Sequence, residues 1–547
     1  MTKAIVTLGR LSVVALFLGA IPLATRAQTS IVAQNTIPPV MDEFTQILAR
    51  HLTEKGFQVS QGYPMLYTMD DCHNYTYPAF KNCFQANPAA PYVMPVVRSW
   101  PEEYVDPAVK NGFVETLPGY SATFRLDPGE AIVLYGQMPP EGRYAGLQTW
   151  EFSQHGTWRP KDDSQWASVE NLPFPIQYLF DTVPPDDPKS PRSISTSALG
   201  DVINNAVMER KSGDPFGQTR YFIITPSDAT NLAVRGALQA QGVSDDDIFT
   251  EQIPARDDLG PIGPLGMGKN AIDFLIAFRY AVPEDSVAAE EWRSTLPLTV
   301  LRVRAPASLA PLHRYTSLFF APRTAVSEDY LAGDMQDLIG AVCNSLINDA
   351  GLESNDCVQP LPASTFIPDP VRDLGWVGPY CRDNGMDCQG DQQEAAYFAS
   401  SPRSVDAGQV YAIVDTLATE TGNATYVGLS ANDASIMGGI KDATILDTVL
   451  KGSADDFSVT VGDTGKLFVH YFTRNCSVLA NVPGGTANCT QITDEMLPPA
   501  TNTTAQGDPA LHGMIIFTLR DYIAPGEISG PDSTKLQTPR ILTFTQP

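Results

Sequence analysis

Residues 127–150 read DPGEAIVLYGQMPPEGRYAGLQTW, and residues 406–429 read DAGQVYAIVDTLATETGNATYVGL. Both run from D-x-G through an apolar stretch, a turn containing Glu and Gly, and a segment ending Y-x-G-L. EAIVLYG and RYAGLQTWEF have the short, aliphatic and aromatic composition of β-strands, and MPPEG between them is turn chemistry. The echo continues in the same order: YFIITPSD at 221 has a counterpart in LFVHYFTRN at 467, and FRYAVPED at 278 in LRDYIAPGE at 519. Four landmarks in one order predict two related β-rich units over 120–285 and 402–547. Two copies are too few for a solenoid, so sandwich-like halves are expected.

Working outward, MDEFTQILARHLTEKG (41–56) places Phe44, Ile47, Leu48 and Leu52 at helical spacing with Gly56 as a stop. Residues 57–120 are rich in Pro and Tyr with little periodicity and read as irregular, tied down by a cysteine pair. The first unit carries two inserted helical patterns, GDVINNAVMER and SDATNLAVRGALQAQG, the latter with Ser227 as N-cap and Gly242 as stop. SEDYLAGDMQDLIGAVCNSLINDAG is a further helix with Ser327 as cap. The expected fold class is α+β, predominantly antiparallel β, in five segments. These are a leader (1–27), an N-terminal helix with a disulfide-tied irregular segment (28–119), the first β-rich unit (120–285), a helical and disulfide-tied connector (286–401), and the second β-rich unit (402–547).

The first 27 residues combine Lys3 and Arg10 with the apolar run LSVVALFLGAIPLA and a small residue at Ala27. That is the layout of a secretory signal peptide cleaved after Ala27, and the run is shorter than the ~20 residues a membrane span needs. A secreted protein, extracellular or periplasmic, without a membrane span is expected. The eight cysteines fall as neighbours in the chain, Cys72 with Cys83, Cys343 with Cys357, Cys381 with Cys388 and Cys476 with Cys489, which in an exported chain suggests four local disulfides. A net charge of −26 repels phosphate backbones and anionic lipid, so nucleic acid is excluded as a partner, while cations, neutral glycans or proteins are compatible.

Familiar catalytic layouts are missing. No G-x-S-x-G, HxH or HExxH occurs, and the six histidines are scattered. The tripeptide DTG at 463–465 is flanked by Gly462 and Lys466 and reads as a β-turn rather than as half of an aspartic protease site. Acid pairs such as Glu102 with Glu103 or Glu290 with Glu291 leave a glycosidase open, since that chemistry depends on a spatial separation. The most ligand-like string is DNGMDCQGDQQE (383–394), which places Asp383, Asp387, Asp391 and Glu394 at positions 1, 5, 9 and 12 of a calcium-hand loop. It departs from that loop at Gly385 and Cys388, so the alternative is a disulfide-tied acidic loop. The aromatic segment YPMLYTMDDCHNYTYPAFKNCF (63–84) either stacks on a ligand or covers the edge of the first unit.

At PPEGRYAGLQTWEF the chain resembles a class of exported bacterial proteins of unknown function whose β units carry a Pro-x-x-Arg-Tyr strand. The resemblance covers the first unit best and implies secretion and a β-rich fold, with no catalytic residues. The leading expectation is a secreted, disulfide-stabilised binding or structural protein for a glycan or protein ligand. A secreted hydrolase of glycosidase or esterase type is the alternative. Since the two echoing stretches differ at their turns, MPPEGR against ATETGN, any ligand contact in the first is expected at Pro139, Pro140, Glu141 and Arg143.

Overall fold

A computed structural model describes residues 40–107, 109–155, 192–200, 202–254, 265–309, 321–357, 366–367, 388–502 and 505–547. Helix α1 (Glu43–Glu54) starts where the Asp42 carboxylate accepts the Thr45 amide at 2.7 Å and stops before Gly56, whose φ of 87° suits only a residue without Cβ. The segment expected to be irregular instead holds strands β1 (Gln58–Gln61), β2 (Tyr63–Tyr67) and β3 (Tyr92–Arg98). Its tyrosines and prolines mask the period-two burial of β2 and the continuous burial of β3.

Strands β4 (Glu130–Gln137) and β5 (Gly142–His155) of the opening stretch do not pair with each other. The turn between them carries the chain from one sheet to another. With β6 (Arg192–Ala198), β7 (Thr219–Thr225), β8 (Ile248–Gln252), β9 (Asp273–Pro283) and β10 (Leu298–Arg304), they build a five-stranded sheet β1-β10-β4-β7-β8 and an eight-stranded sheet whose main path is β2-β3-β9-β5-β6. All pairings on these paths are antiparallel except β7 with β8. The parallel pair is bridged by α3 (Asp228–Gln239), capped at Ser227 as the sequence predicts; α2 (Asn205–Ser212) is shorter than its pattern.

The later strands are β11 (Phe366–Ile367), β12 (Ala395–Ser400), β13 (Gln409–Thr416), β14 (Tyr426–Asp433), β15 (Gly438–Leu446), β16 (Leu467–Thr473), β17 (Cys489–Gln491), β18 (Met514–Tyr522) and β19 (Arg540–Thr545). They form a four-stranded sheet β19-β13-β16-β17 and a six-stranded sheet β11-β12-β18-β14-β15, again with one parallel pair, β16 with β17. Between the two sets of strands lie α4 (Ser286–Thr295) and α5 (Ala332–Asn348). The latter begins five residues beyond the expected Ser327 cap, because a 3-10 turn at Asp329–Leu331 intervenes.

Both central strands are buried on two faces, which explains their unbroken apolar runs. Ile132 and Leu134 of β4 meet Phe222, Phe274, Ile276, Phe278 and Val300 inside the first sandwich, while Ala131, Val133 and Tyr135 lie under α1 and α3. In β13, Tyr411 and Ile413 meet Phe468, Leu429 and Phe517, while Val410, Ala412 and Val414 lie under Met335, Leu338 and Val342 of α5. The outer faces of the two larger sheets meet through Tyr144, Ala281, Tyr426 and Tyr522.

The turns that lead into β4 and β13 are built from the D-x-G motif. Asp127 N donates to Glu130 Oε2 and Glu130 N to Asp127 O, both at 2.9 Å; Asp406 N donates to Gln409 Oε1 at 2.8 Å and Gln409 N to Asp406 O at 3.1 Å. The hydroxyls of Thr225 and Thr473 donate to the carbonyls of Glu130 and Gln409, each at 2.7 Å. Gly129 and Gly408 carbonyls accept from Ala305 and Gln546 amides, each at 2.9 Å.

Three disulfides form as the spacing suggests: Cys72–Cys83, Cys343–Cys357 and Cys476–Cys489. Cys388 is also disulfide-bonded, and Cys381 lies outside the described residues. Among the described residues no helix is long and apolar enough to cross a membrane.

Candidate functional site

Strand alternation sets the odd-numbered residues of β9 on the outer face of the eight-stranded sheet. Leu275 and Ala277 lie there, with Trp150 opposite Leu275, Tyr67 on β2, Tyr92 and Met94 on β3, and Thr196 on β6. Two loops close over this face. One is the Cys72–Cys83 loop with Phe84; the other is the segment Cys388–Gln392, held by Cys388 N to Ser195 O at 2.7 Å and Gly390 N to Thr196 O at 3.0 Å. Phe113 completes an aromatic wall around a cavity of about 40 Å³. Phe84, Tyr92 and Gly390 keep part of their surface in solvent and mark its mouth.

Polar groups at the cavity are few. The Trp150 Nε1–H donates to Asp391 O at 3.1 Å, leaving the indole face for contact. The buried Thr196 Oγ1 has no hydrogen-bond partner. The Tyr67 hydroxyl lies beside that of Thr76, but neither completes a hydrogen bond, and burial pushes the Tyr67 phenol up. Gln392 Oε1 accepts from Tyr397 at 2.9 Å and from Arg279. No acid, histidine or thiol lines the cavity among the described residues.

The backbone around the cavity is held in a sparsely populated conformation. Phe84 (φ 51°), Gln85 (50°), Thr196 (38°) and Gln389 (53°) are left-handed without being glycine, and for the β-branched Thr196 that costs on the order of 1–3 kcal/mol. Strain of this kind persists where surrounding contacts over-determine it; here Gln85 N donates to Met437 O at 2.8 Å and Asn82 Nδ2 to Gln389 Oε1 at 3.2 Å.

Behind the cavity, Arg279 is fully buried. It pairs with Glu394, donates to Gln392, and its guanidinium lies 5.4 Å from the Tyr144 ring and 5.8 Å from the Trp150 ring. Tyr144 donates to Glu394 Oε1 at 2.5 Å and packs on Tyr522 and Tyr426, which stack at 4.2 Å. This network fixes the position of the loop that supplies Gln392 and Gly390.

Of the four residues expected to hold calcium, the structure describes Asp391 and Glu394. Asp383 and Asp387 lie outside the described residues. Asp391 Oδ1 accepts the Ala198 amide at 2.7 Å, and the cation at Glu394 is Arg279. Among the described residues no group of three or more His, Cys, Asp or Glu is arranged to hold a metal ion. Of the turn residues, Pro139 is buried and its carbonyl accepts Gly217 N at 2.8 Å; Pro140 is half-buried; Glu141 is exposed, and its carbonyl accepts Glu284 N at 3.0 Å. Arg143 pairs with Asp447 of the second sandwich.

The DTG segment is a 3-10 turn in which Lys466 pairs with Asp463 at 2.9 Å. Glu103 serves Arg302, Glu102 serves Arg304 and Glu290 serves Arg293. Asn423, in a glycosylation sequon, is buried and donates to Glu328 Oε1 at 2.9 Å, so its folded packing leaves no room for a glycan.

The aromatic segment 63–84 contributes Tyr67 and Phe84 to the cavity, and Trp150 ends the opening stretch. Tyr92 and Phe113 were not singled out by their patterns, Gly390 and Gln392 lie in the ligand-like string DNGMDCQGDQQE without being named as ligands, and Thr196 sits in RSISTSA, which carries no signal at all.

No family model matches the chain, and no curated protein matches it. Two solved structures are similar over most of their lengths. One is an uncharacterised protein from Burkholderia cenocepacia, with 9% identity and a TM-score of 0.33 over 92% of this chain and 86% of that one. The other is the VPA0106 protein from Vibrio parahaemolyticus, with 11% identity and a TM-score of 0.31 over 77% of this chain and 87% of that one.

Proposed function

We propose that this is an exported binding protein made of two copies of one sandwich unit, with its ligand site in the aromatic cavity beside their junction. The observation that carries the binding reading is the cavity itself: five aromatic rings and an aliphatic floor on its wall, an unpartnered hydroxyl, a strained frame, and, among the described residues, no acid, histidine or thiol. A hydrolase needs an activated nucleophile or a general base within reach of substrate, and among the described residues the lining supplies no acid, histidine or thiol to activate the Thr196 or Tyr67 hydroxyl.

The duplication is supported by topology and register. Strand orders β1-β10-β4-β7-β8 and β19-β13-β16-β17 agree from β10 onward, each with a single parallel pair at the same place, and β2-β3-β9-β5-β6 agrees throughout with β11-β12-β18-β14-β15. Arg279 stands opposite Gly146 and Ala281 opposite Tyr144; Arg520 stands opposite Gly428 and Tyr522 opposite Tyr426. The paired D-x-G turns and threonine hydrogen bonds described above add side-chain agreement. On this reading each unit extends past the expected bounds, taking in β1 to β3 and β10, or β11 and β12. Export is supported by the leader pattern and the disulfides, which persist in oxidising compartments.

The test is a screen of the purified chain against hydrolase substrates, run beside a binding screen of neutral sugars and peptides. Binding without turnover is expected, weakened by Phe84→Ala. Turnover lost on substitution of a single carboxylate, Ser or His would overturn the reading.

A further inference from the structure

We infer that the cavity takes the acetamido group of an N-acetylated amino sugar, an assignment that rests on the binding reading above. Size decides first. A water-sized group needs about 10–15 Å³ of such space, so about 40 Å³ accommodates roughly three of them. A hexose ring or a benzene ring is too large, whereas the methyl and carbonyl of an acetamido group fit.

Chemistry decides next. Phe113, Met94, Leu275, Ala277 and the face of Trp150 form an apolar wall suited to the methyl. An amide carbonyl brought into this space needs a donor, or its desolvation is uncompensated. The buried, unpartnered Thr196 Oγ1 and the Tyr67 hydroxyl are the two lining groups with that capacity unused. A purely apolar occupant would leave both unsatisfied. At the mouth, the partly exposed rings of Phe84 and Tyr92 offer apolar edges against which the remaining pyranose can pack outside the cavity. The acidic chain favours a neutral ligand over an anionic one.

Saturation-transfer NMR on the full chain with N-acetylglucosamine, glucose, acetamide and Nε-acetyllysine tests this. N-acetylglucosamine is expected to bind with the strongest transfer at its acetyl methyl, acetamide to compete with it, and glucose not to bind. Thr196→Val, which keeps the shape and removes the hydroxyl, is expected to weaken the sugar about tenfold, the loss of one hydrogen bond to a buried partner. Glucose binding as well as N-acetylglucosamine, transfer centred on the ring protons, or no effect of Thr196→Val would overturn the acetamido assignment while leaving a binding protein. Tighter binding of Nε-acetyllysine would reassign the site to an acetylated protein and overturn the sugar. No binding of any probe, with turnover in the substrate screen, would instead overturn the binding reading beneath it.

Discussion

The turns 138–143 and 417–424 each carry the chain from a central strand to the facing sheet, and they are held in different ways. The first is pinned at the surface: Met138 N donates to Gln218 O at 2.8 Å, Pro139 O accepts Gly217 N, and Arg143 reaches Asp447. Gly136 just before it has φ 150°, and a Cβ there would meet Pro297 O at 2.1 Å. The second is pinned from inside by one buried carboxylate. Glu328 Oε1 accepts from Thr421 Oγ1 at 2.6 Å and Asn423 Nδ2 at 2.9 Å, and Oε2 from Thr416 Oγ1 at 2.6 Å and Gln537 N at 2.9 Å. Asp415 and Asp521 are buried with it, and Asp521 Oδ1 has no hydrogen-bond partner. The two turns therefore rest on different electrostatics. In the first sandwich Arg302 is buried against Glu103 and Glu130, and Arg125 against Asp273; in the second, burial first, and then the neighbouring carboxylates, push Asp415 and Asp521 well above the usual carboxylate range.

The largest effect that separates the two halves is expected at Arg302. Its guanidinium pairs with Glu103 at 2.6 Å and with Glu130, donates to Arg125 O at 2.5 Å, and faces the Trp100 ring at 5.4 Å. Removing one partner of a buried ion pair typically costs about 3–5 kcal/mol, because the remaining charge is stranded. Arg302→Met should lose about that much by denaturant titration at pH 7, and a loss below about 1 kcal/mol would show that the carboxylates find other partners.

Next comes an acid in the first sandwich that departs from its paired pattern. Glu251 is buried, accepts from Thr149 N at 2.8 Å and Thr149 Oγ1 at 2.6 Å, and burial pushes its pKa up to about 7. Its folded value lies above its unfolded one, so the folded state binds the extra proton. Stability is then greatest below the unfolded value and falls as pH rises through about 7, by about 3 kcal/mol in total at 1.36 kcal/mol per unit. Glu251→Gln should remove that part of the fall between pH 5 and pH 8. An unchanged profile in the variant would assign the titration elsewhere.

The same sign governs the second sandwich. With Asp415 and Asp521 both raised, charging either against Glu328 is unfavourable, so that half should weaken as pH climbs above the unfolded carboxylate range. Asp521→Asn should raise the melting temperature at pH 8 and leave it unchanged at pH 4. The reverse ordering would mean that Asp521 is ionised and stabilised by a cation. Hydrogen exchange at β13 and β18, compared with β4 and β9, would place the effect in the correct half.

Much of this contrast lies beyond a reading of the chain. The D-x-G turns and the strands after each were legible because they rest on local hydrogen bonds, as at Asp127 with Glu130 and Asp406 with Gln409, and on unbroken apolar runs. Strands β1 to β3 were not, since Tyr and Pro in YPMLY mask its alternation and the Pro in YVMPVV interrupts an apolar run that is buried from Val93 to Val97. The cavity was legible in fragments, Trp150 in one motif and Tyr67 with Phe84 in another. Its closure depends on Thr196 and on Gln392, positions about 200 residues apart whose types say nothing of each other. Within the string 383–394, the pairing of Glu394 with Arg279 of a distant strand was equally beyond a local reading.

The smallest effect is expected at Arg143, the residue that joins the first turn to the second half. Its side chain keeps 37% of its surface in solvent while Asp447 is nearly buried, so the pair is screened on one side only. Asp447 also accepts Val427 N at 3.4 Å, a partner that survives loss of the arginine. Arg143→Gln should therefore cost under about 1 kcal/mol and become neutral in high salt. A larger loss that persists in salt would show that this contact organises the junction between the sandwiches. The turn with Pro139 and Pro140 would then be part of the interface rather than a surface connection that happens to touch it.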